Sequence, residues 1–262
     1  MADKPRPNKK VLVIVPFPVG EEHLVLRRQQ HDSMNFGPDI DFHYKPVRIS
    51  GRNLISPYEW PIGETAVLEV GLSAQEDGYD AVCVDTTGDT GVSALRSILD
   101  IPVVGAARAS FLTAMLLGDK FSVIAMWDRW NDAYGKTIAE LGIAHKFASV
   151  RSIDATPDNR SLMSGKEDVF PRLEEAARLC IEEDGADVLC LGSTTMHQAH
   201  AYLTDRLDVP VINPGPLTYK IIEALLGLGL SHSRQAYKGP ITRVDDVVRA
   251  MVSAGAGSLE NS

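Results

Sequence analysis

Cysteine is scarce in this sequence of 262 residues. Only Cys83, Cys180 and Cys190 are present, and their spacing matches no metal-binding pattern. The apolar run after the basic start covers only residues 11–15 before Pro16, which is too short for the core of a secretory signal. We therefore expect reduced thiols and a cytoplasmic location.

The sequence also has fewer basic than acidic residues and lacks long hydrophobic runs. The chain has 26 Lys and Arg residues against 35 Asp and Glu residues, a net charge of −9. Nucleic acid binding needs a basic face, so this balance argues against a nucleic acid partner. No apolar run approaches the roughly 20 residues of a membrane span. We expect a small-molecule substrate, and neither nucleic acid nor membrane as a partner.

What the sequence does contain is a regular alternation of short apolar runs and helical patterns. The apolar runs are continuous rather than alternating, which is typical of parallel strands covered on both faces. Such alternation predicts a doubly wound α/β fold. The predicted strands are 11–15, 80–86, 102–107, 121–126, 145–153, 187–193 and 210–213, and the predicted helices are 65–78, 89–99, 109–118, 131–142, 168–185, 196–207 and 215–229.

One part of this pattern occurs twice. Residues 80–86, DAVCVDT, match residues 187–193, DVLCLGS, and residues 100–104, DIPVV, match residues 208–212, DVPVI. Chance likeness between βα units is one explanation. The other is two similar α/β domains related by pseudo-two-fold symmetry. Ligands of parallel sheets bind at the carboxyl ends of the strands, so two such domains would enclose an active site in the cleft between them.

Five segments carry a resemblance to a known family. In order and spacing, they resemble the Asp/Glu/hydantoin racemase superfamily, and most closely its hydantoin and allantoin racemase branch. They cover most of residues 65–233. The segments are GYDAVCVDTTGDTGVSALRSILDIPVVGAARAS, LGDKFSVIAMWDR, ASVRSID, EEDGADVLCLGSTTM and LDVPVINPGPLTYKIIEALLGLGLSHS.

The resemblance implies two α/β domains with the active site between them, no metal and no organic cofactor. We also expect a homo-oligomer. The second domain is expected to be an insertion into the first, spanning 106–215, with the first made of 10–105 and 216–250. Residues 1–9 and 251–262 are expected to be loose, flexible tails.

The chain departs from the family at the two positions that matter most. The family's two proton-transfer cysteines fall on Thr86 and Ser193, and we assign both residues to the catalytic site. Cys83 and Cys190 lie three residues upstream, where we expect buried small hydrophobic side chains. A thiol has a pKa of roughly 8.5, whereas Ser and Thr hydroxyls are far weaker acids and cannot act as resting bases. A two-thiol mechanism is therefore excluded.

Three further departures indicate a changed substrate. The first strand is followed by Pro16 and Phe17 where the family has Asn-Pro-Asn-Thr, and Trp127 stands in a segment that is usually rich in hydroxyls. Arg108 replaces a usual Glu. We expect these four residues to bind a substrate that is more apolar or aromatic than hydantoin, with an anionic group.

Two hydroxyl-rich corners follow the duplicated strands. Because both precede a helix, their free N–H groups could bind a carboxylate or a developing oxyanion. The alternative for these hydroxyls is plain helix capping. The first corner is Thr86, Thr87 and Gly88, and the second corner is Ser193, Thr194 and Thr195.

Three other side chains are candidates for proton transfer. Asp85 precedes the first corner, and a carboxylate buried there could act as a base. Asp89 matches an acidic family position, but an acidic residue in a first helical turn also suits the helix dipole. His197 lies four residues after Ser193, on the same predicted helix face, where it could serve as a base or activate the serine. The alternative for His197 is a solvated surface residue.

One more residue completes the predicted site. Asn213 ends the last strand of the second domain, where the following Pro-Gly indicates a turn first and a pocket wall second. The resemblance implies a cofactor-independent enzyme that acts on a carbon next to a carboxylate or amide carbonyl, as a racemase or another isomerase. The alternatives are a decarboxylase or other lyase, a hydrolase with Ser193 as nucleophile, and a binder without catalysis.

Overall fold

The computed structural model describes residues 8–32, 34–37, 39–51, 53–155 and 169–260. The predicted elements that fall on 1–7, 168 and 261–262 lie outside these residues. The strands are β1 Lys9–Val15, β2 Ile40–Pro46, β3 Ala81–Val84, β4 Val103–Gly105, β5 Phe121–Ala125, β6 Phe147–Ser152, β7 Val188–Leu191 and β8 Val211–Ile212. The helices are α1 Glu21–Asp32, α2 Trp60–Gly71, α3 Val92–Ile98, α4 Ala106–Leu117, α5 Asn131–Leu141, α6 Val169–Glu182, α7 Ala199–Thr204, α8 Pro214–Leu228 and α9 Asp245–Glu260.

The strands form two parallel sheets with the same order. The first sheet is ordered β2-β1-β3-β4 and the second is ordered β6-β5-β7-β8. Every pairing within them is parallel. The prediction of two similar α/β units with parallel sheets is therefore confirmed.

Helices cover both faces of each sheet, which explains the continuous apolar runs. On the first sheet, Leu95 of α3 packs in one core layer and Ile222 of α8 packs in the other. Burying a side chain of this size contributes about 1.5–3 kcal/mol. Helix α8 packs on the first sheet, where it contacts β3 and β4. The boundary at residue 106 stays a prediction, because α4 contacts strands of both sheets.

The repeated aspartates at the strand starts have the same structural role. Asp80 accepts a hydrogen bond from the backbone N–H of Lys10 at 2.9 Å, and Asp187 accepts one from that of Lys120 at 2.9 Å. Each carboxylate thus ties the start of its strand to the neighbouring strand. This shared contact is a physical reason for the repeat in the sequence.

Three elements were absent from the prediction. Strand β2 lies at a sheet edge and alternates polar and apolar residues, while the inward side of α1 carries Arg27 and Gln30. Neither therefore has a clear apolar pattern. The expected tail over 251–262 is wrong up to Glu260, because α9 packs against α2 with Val252 fully buried. The expected tail over 1–9 also overlaps β1, which begins at Lys9. No helix within the described ranges is long and apolar enough to cross a membrane.

Candidate active site

A narrow cleft lies between the carboxyl ends of β3 and β7. The centre of a water molecule can move through only about 60 Å³ of it, so a bound substrate must be small or must displace parts of the wall. Eight of the predicted site residues line this cleft. They are Phe17, Asp85, Thr86, Thr87, Gly88, Ser193, Thr194 and Thr195.

The two corners hold each other through a reciprocal pair of hydrogen bonds, which we name the clasp. The Thr87 hydroxyl donates to the carbonyl of Gly192 at 2.5 Å, and the Thr194 hydroxyl donates to the carbonyl of Asp85 at 3.3 Å. Each donor lies one residue after Thr86 or Ser193, and its acceptor lies one residue before the other of these two residues. The clasp therefore obeys the pseudo-two-fold relation between the sheets.

The clasp separates the roles of the hydroxyls. Thr87 and Thr194 are buried and their hydroxyl hydrogens are used between the corners. Thr86 and Ser193 are half-buried and line the cleft. Ser193 also caps its turn by accepting from the backbone N–H of Thr195 at 3.3 Å, so capping accounts for part of its role.

A buried ion pair stands behind the first corner. Arg27 Nη1 lies 2.5 Å from Asp85 Oδ2, and the two side chains are only 3% and 1% exposed. Arg27 Nη1 also contacts the Thr194 hydroxyl at 3.4 Å. Asp85 Oδ1 has no hydrogen-bond partner among the described residues. The pair thus fixes one carboxylate oxygen, and the other is buried without a hydrogen-bond partner among the described residues.

The equivalent place behind the second corner holds neutral groups. Gly192 stands where the first corner has Asp85, and its carbonyl accepts a second hydrogen bond from Tyr134 at 2.6 Å. Tyr134 is buried, and burial raises the pKa of its hydroxyl. Arg27 and Tyr134 both come from the helix after the first strand of their sheet. Neither residue was identified from the sequence, because their reach to the corners depends on helix packing.

Asp89 braces the first corner instead of facing the cleft. Its carboxylate accepts from the backbone N–H groups of Ala107 at 2.8 Å and Arg108 at 3.0 Å, at the start of α4. A Cβ on Gly105 would lie 2.3 Å from this carboxylate, so glycine is required there. Burial raises the pKa of Asp89 to about 6, and these hydrogen bonds oppose that rise. Arg108 does not line the cleft; it pairs with Asp89 and Glu140 beside a neighbouring pocket.

His197 does not line the cleft either. A 3-10 turn over Thr194–Met196 follows Ser193, and α7 begins only at Ala199. The predicted continuous helix from residue 196 is therefore wrong, and with it the i+4 argument for a Ser–His pair. Burial lowers the pKa of His197. Within the described residues, no group of three His, Cys, Asp or Glu side chains could hold a metal ion.

Aromatic and charged side chains close the mouth of the cleft. Trp130 donates through Nε1 to the carbonyl of Asn53 at 3.2 Å, and Lys136 pairs with Glu64 at 3.0 Å. Both contacts join the two sheets' units across the mouth. Trp60 lines it as well. Trp127 was expected here, but its ring contacts Trp130 edge-on and does not line the cleft. Pro16 and Asn213 do not line it either.

Sequence comparison identifies the family. The family model described as Asp/Glu/Hydantoin racemase matches residues 48–221. The chain belongs to the Asp/Glu/hydantoin racemase family. Individual members of the family are similar to this chain as well. The chain is 30% identical over 176 residues to a hydantoin racemase from Paenarthrobacter aurescens, and the match covers 66% of this chain and 72% of the relative.

Solved structures of the family share the fold. An allantoin racemase from Pseudomonas fluorescens is 25% identical, with a TM-score of 0.80 over 89% of this chain and 98% of that chain. A variant of arylmalonate decarboxylase in a liganded form is 18% identical, with a TM-score of 0.64 over 85% of this chain and 94% of that chain. The family thus includes racemases, and its fold also occurs in a decarboxylase.

Proposed function

We propose that this family member is an enzyme that moves a proton at a carbon next to a carboxylate or amide carbonyl, with Asp85 as the proton-transfer group on one wall only. One observation carries the proposal: among the described residues, the carboxylate of Asp85 stands directly before the first corner and lines the cleft, whereas the equivalent residue of the second corner is Gly192. Asp85 has an oxygen, Oδ1, with no hydrogen-bond partner among the described residues, whereas the second corner has hydroxyls and the carbonyl of Gly192.

The corners supply what the charged intermediate needs. Removing a proton next to a carbonyl leaves an enolate, whose oxygen is stabilised by fixed donors in a site with little water. The backbone N–H groups of Thr87 and Thr194 have no hydrogen-bond partner within the part of the chain that the structure describes. Together with the hydroxyls of Thr86 and Ser193, they are the donors that we assign to the substrate oxygens.

The opposite side of the cleft favours a substrate with an apolar or aromatic substituent. Its lining includes Phe17, Leu54, Trp60 and Trp130. Large aromatic surfaces contribute strongly to binding a ligand of matching shape. We therefore place the substituent against these rings and the carboxylate or amide oxygens against the corners.

A single proton-transfer wall predicts a distinct stereochemical outcome. Asp85 would remove the proton and return one to the same face, so the substrate would exchange its α-proton without losing its configuration. Rapid racemisation needs a second proton-transfer group on the opposite face, and the second corner contributes hydroxyls but no carboxylate, histidine or thiol to the described lining of the cleft. Activity as a hydantoin or allantoin racemase should therefore be absent or very slow.

Decarboxylation is the second candidate, and the same asymmetry favours it. Loss of CO₂ from a substituted malonate leaves an enolate that needs one proton on one face, which protonated Asp85 could give. The hydrolase alternative has less support, because Ser193 has Thr195 rather than a histidine as its hydrogen-bond partner. A binder without catalysis would leave every compound unchanged.

Proton NMR in D₂O with (S)-5-benzylhydantoin and phenylmalonate tests the proposal. We expect loss of the α-proton signal of the first compound or CO₂ release from the second, and a roughly 10²-fold or larger fall in rate for Asp85→Asn. Asp80→Asn is the matched control, because Asp80 starts the same strand but lies far from its carboxyl end. Equal rates in Asp85→Asn and the wild type would contradict the proposal.

A further inference from the structure

A buried chain of hydrogen bonds runs behind the first corner, outside the cleft. Tyr44 of β2 donates its hydroxyl hydrogen to the hydroxyl of Tyr219 in α8 at 2.9 Å. His31 of α1 lies on the other side, with Nδ1 3.1 Å from the Tyr44 hydroxyl. Both tyrosines are buried. Three separate elements therefore contribute one polar group each to a continuous line through an otherwise apolar core.

One end of this line reaches the surface. The His31 side chain is 21% exposed, and its Nε2 lies 3.2 Å from Asp32 Oδ1, which is well exposed. Arg28 is the other charged group whose field acts on His31. Burial lowers the pKa of His31 below its ordinary value, which favours the neutral ring at neutral pH.

The other end of the line reaches Asp85. Tyr219 and Asp85 line the same small packing gap, together with Thr194, and this gap is too small to hold a water molecule. Within the described residues, Asp85 Oδ1 has no donor and the hydroxyl hydrogen of Tyr219 has no acceptor. Burial and the charge of Asp85 both raise the pKa of Tyr219. Tyr219 thus has an unused hydrogen-bond donor, and Asp85 has an unused acceptor, at the same gap.

We propose that His31, Tyr44 and Tyr219 form a proton relay between the surface and Asp85. Protonated His31 gives its Nδ1 proton to the Tyr44 oxygen, Tyr44 passes its own to Tyr219, and Tyr219 passes its own to Asp85 Oδ1. One proton enters at His31 and one arrives at Asp85, and each tyrosine ends neutral. The reverse sequence returns a proton to solvent. The relay rests on the proposed role of Asp85.

The relay would supply protons to Asp85, which water in the narrow cleft reaches poorly. Water reaches little of the space above the corners, and Asp85 is almost fully buried. Exchange of the abstracted proton, or the net uptake of one proton in each decarboxylation, requires a path that stays open while substrate fills the cleft. The two tyrosines remain protonated because burial raises the pKa of both hydroxyls, so they transfer protons without storing charge.

The first test needs no substrate. Tyr44 has one hydroxyl hydrogen, so donating it to Tyr219 requires neutral His31 to carry its own hydrogen on Nδ1. Nitrogen-15 NMR of the His31 ring at neutral pH should show the Nδ1–H tautomer. Tyr219→Phe removes the acceptor and should shift the ring toward Nε2–H, because Tyr44 can then donate to His31. A wild-type ring in the Nε2–H form would overturn the relay.

The second test measures exchange of the α-proton of (S)-5-benzylhydantoin in D₂O. Tyr219→Phe should lower kcat for exchange roughly tenfold or more without changing KM. His31→Ala should slow exchange similarly and recover on addition of imidazole. Tyr202→Phe is the control, since Tyr202 donates to Glu174 far from the cleft. Unchanged exchange in Tyr219→Phe beside an active wild type would overturn the relay alone, whereas an inactive wild type would overturn the proposed function.

Discussion

The two corners share one backbone plan but differ in charge. Both follow a buried parallel strand, and each donates one threonine hydroxyl to the other's carbonyl in the clasp. Behind the first corner stands the ion pair of Arg27 and Asp85, and behind the second stand Tyr134 and a peptide carbonyl. The shared plan encloses the cleft, and the difference in charge is the basis of our proposal that proton transfer occurs on one wall only. Two similar backbones therefore carry different chemical groups.

The largest expected effect comes from breaking the ion pair on the charged side. Arg27→Leu leaves Asp85 buried without its partner, which should lower the free energy of unfolding by about 3–5 kcal/mol. The double variant Arg27→Leu/Asp85→Leu should recover much of that loss, because no charge is left unpaired. Urea unfolding measures both.

The neighbouring arginine provides the control for this prediction. Arg28 lies on the same helix, is partly exposed and pairs with Glu21. Arg28→Leu should cost less than about 1 kcal/mol, the usual size of a surface ion pair. Equal losses for the two single variants would show that the Arg27–Asp85 pair is not the special feature of the first wall.

A smaller effect distinguishes the two halves of the clasp. Thr194→Val leaves the buried carbonyl of Asp85 without a partner among the described residues, whereas after Thr87→Val the Gly192 carbonyl keeps Tyr134. An unsatisfied buried group costs about 1–3 kcal/mol, and a lost hydrogen bond alone costs about 1 kcal/mol. Thr194→Val should therefore destabilise the protein more than Thr87→Val in urea unfolding.

A double variant sharpens that comparison. Thr87→Val combined with Tyr134→Phe removes both donors from the Gly192 carbonyl. The loss should exceed the sum of the two single losses, because only the double variant leaves that carbonyl unsatisfied. If the losses in the free energy of unfolding were strictly additive, water would have to replace the missing donors. The clasp would then not exclude water from the second corner.

Much of the fold follows from the sequence because its strands are buried on both faces. Strands β3 and β7 and their corners read as continuous apolar runs ending in hydroxyls, and the repeat between them predicts the shared cleft. Helix α1 escapes prediction because its inward positions include Arg27 and Gln30, so no apolar stripe marks it. Its polar inner face is a consequence of the ion pair that it supplies.

The sequence predicted only those site residues whose positions depend on neighbouring residues in the chain. Thr86 and Ser193 follow from strand ends, and both line the cleft. Asp89 binds backbone N–H groups at the start of α4, and the periodicity of the sequence does not show where that helix begins. His197 lies outside the cleft lining because a 3-10 turn follows Ser193, which periodicity does not show either. Asp85 was identified as a candidate, but its ion pair depends on a helix from a distant part of the chain.

The central claim, that one wall alone transfers protons, has a direct test in a single compound. The wild-type protein in D₂O with (S)-5-benzylhydantoin yields two rates, the loss of the α-proton signal by NMR and the loss of optical rotation by polarimetry. We predict that proton exchange is faster than loss of rotation by roughly 10²-fold, the scale of a missing general acid–base group on the second wall. Equal rates would contradict the account, because they would require a proton from the face where Ser193 stands.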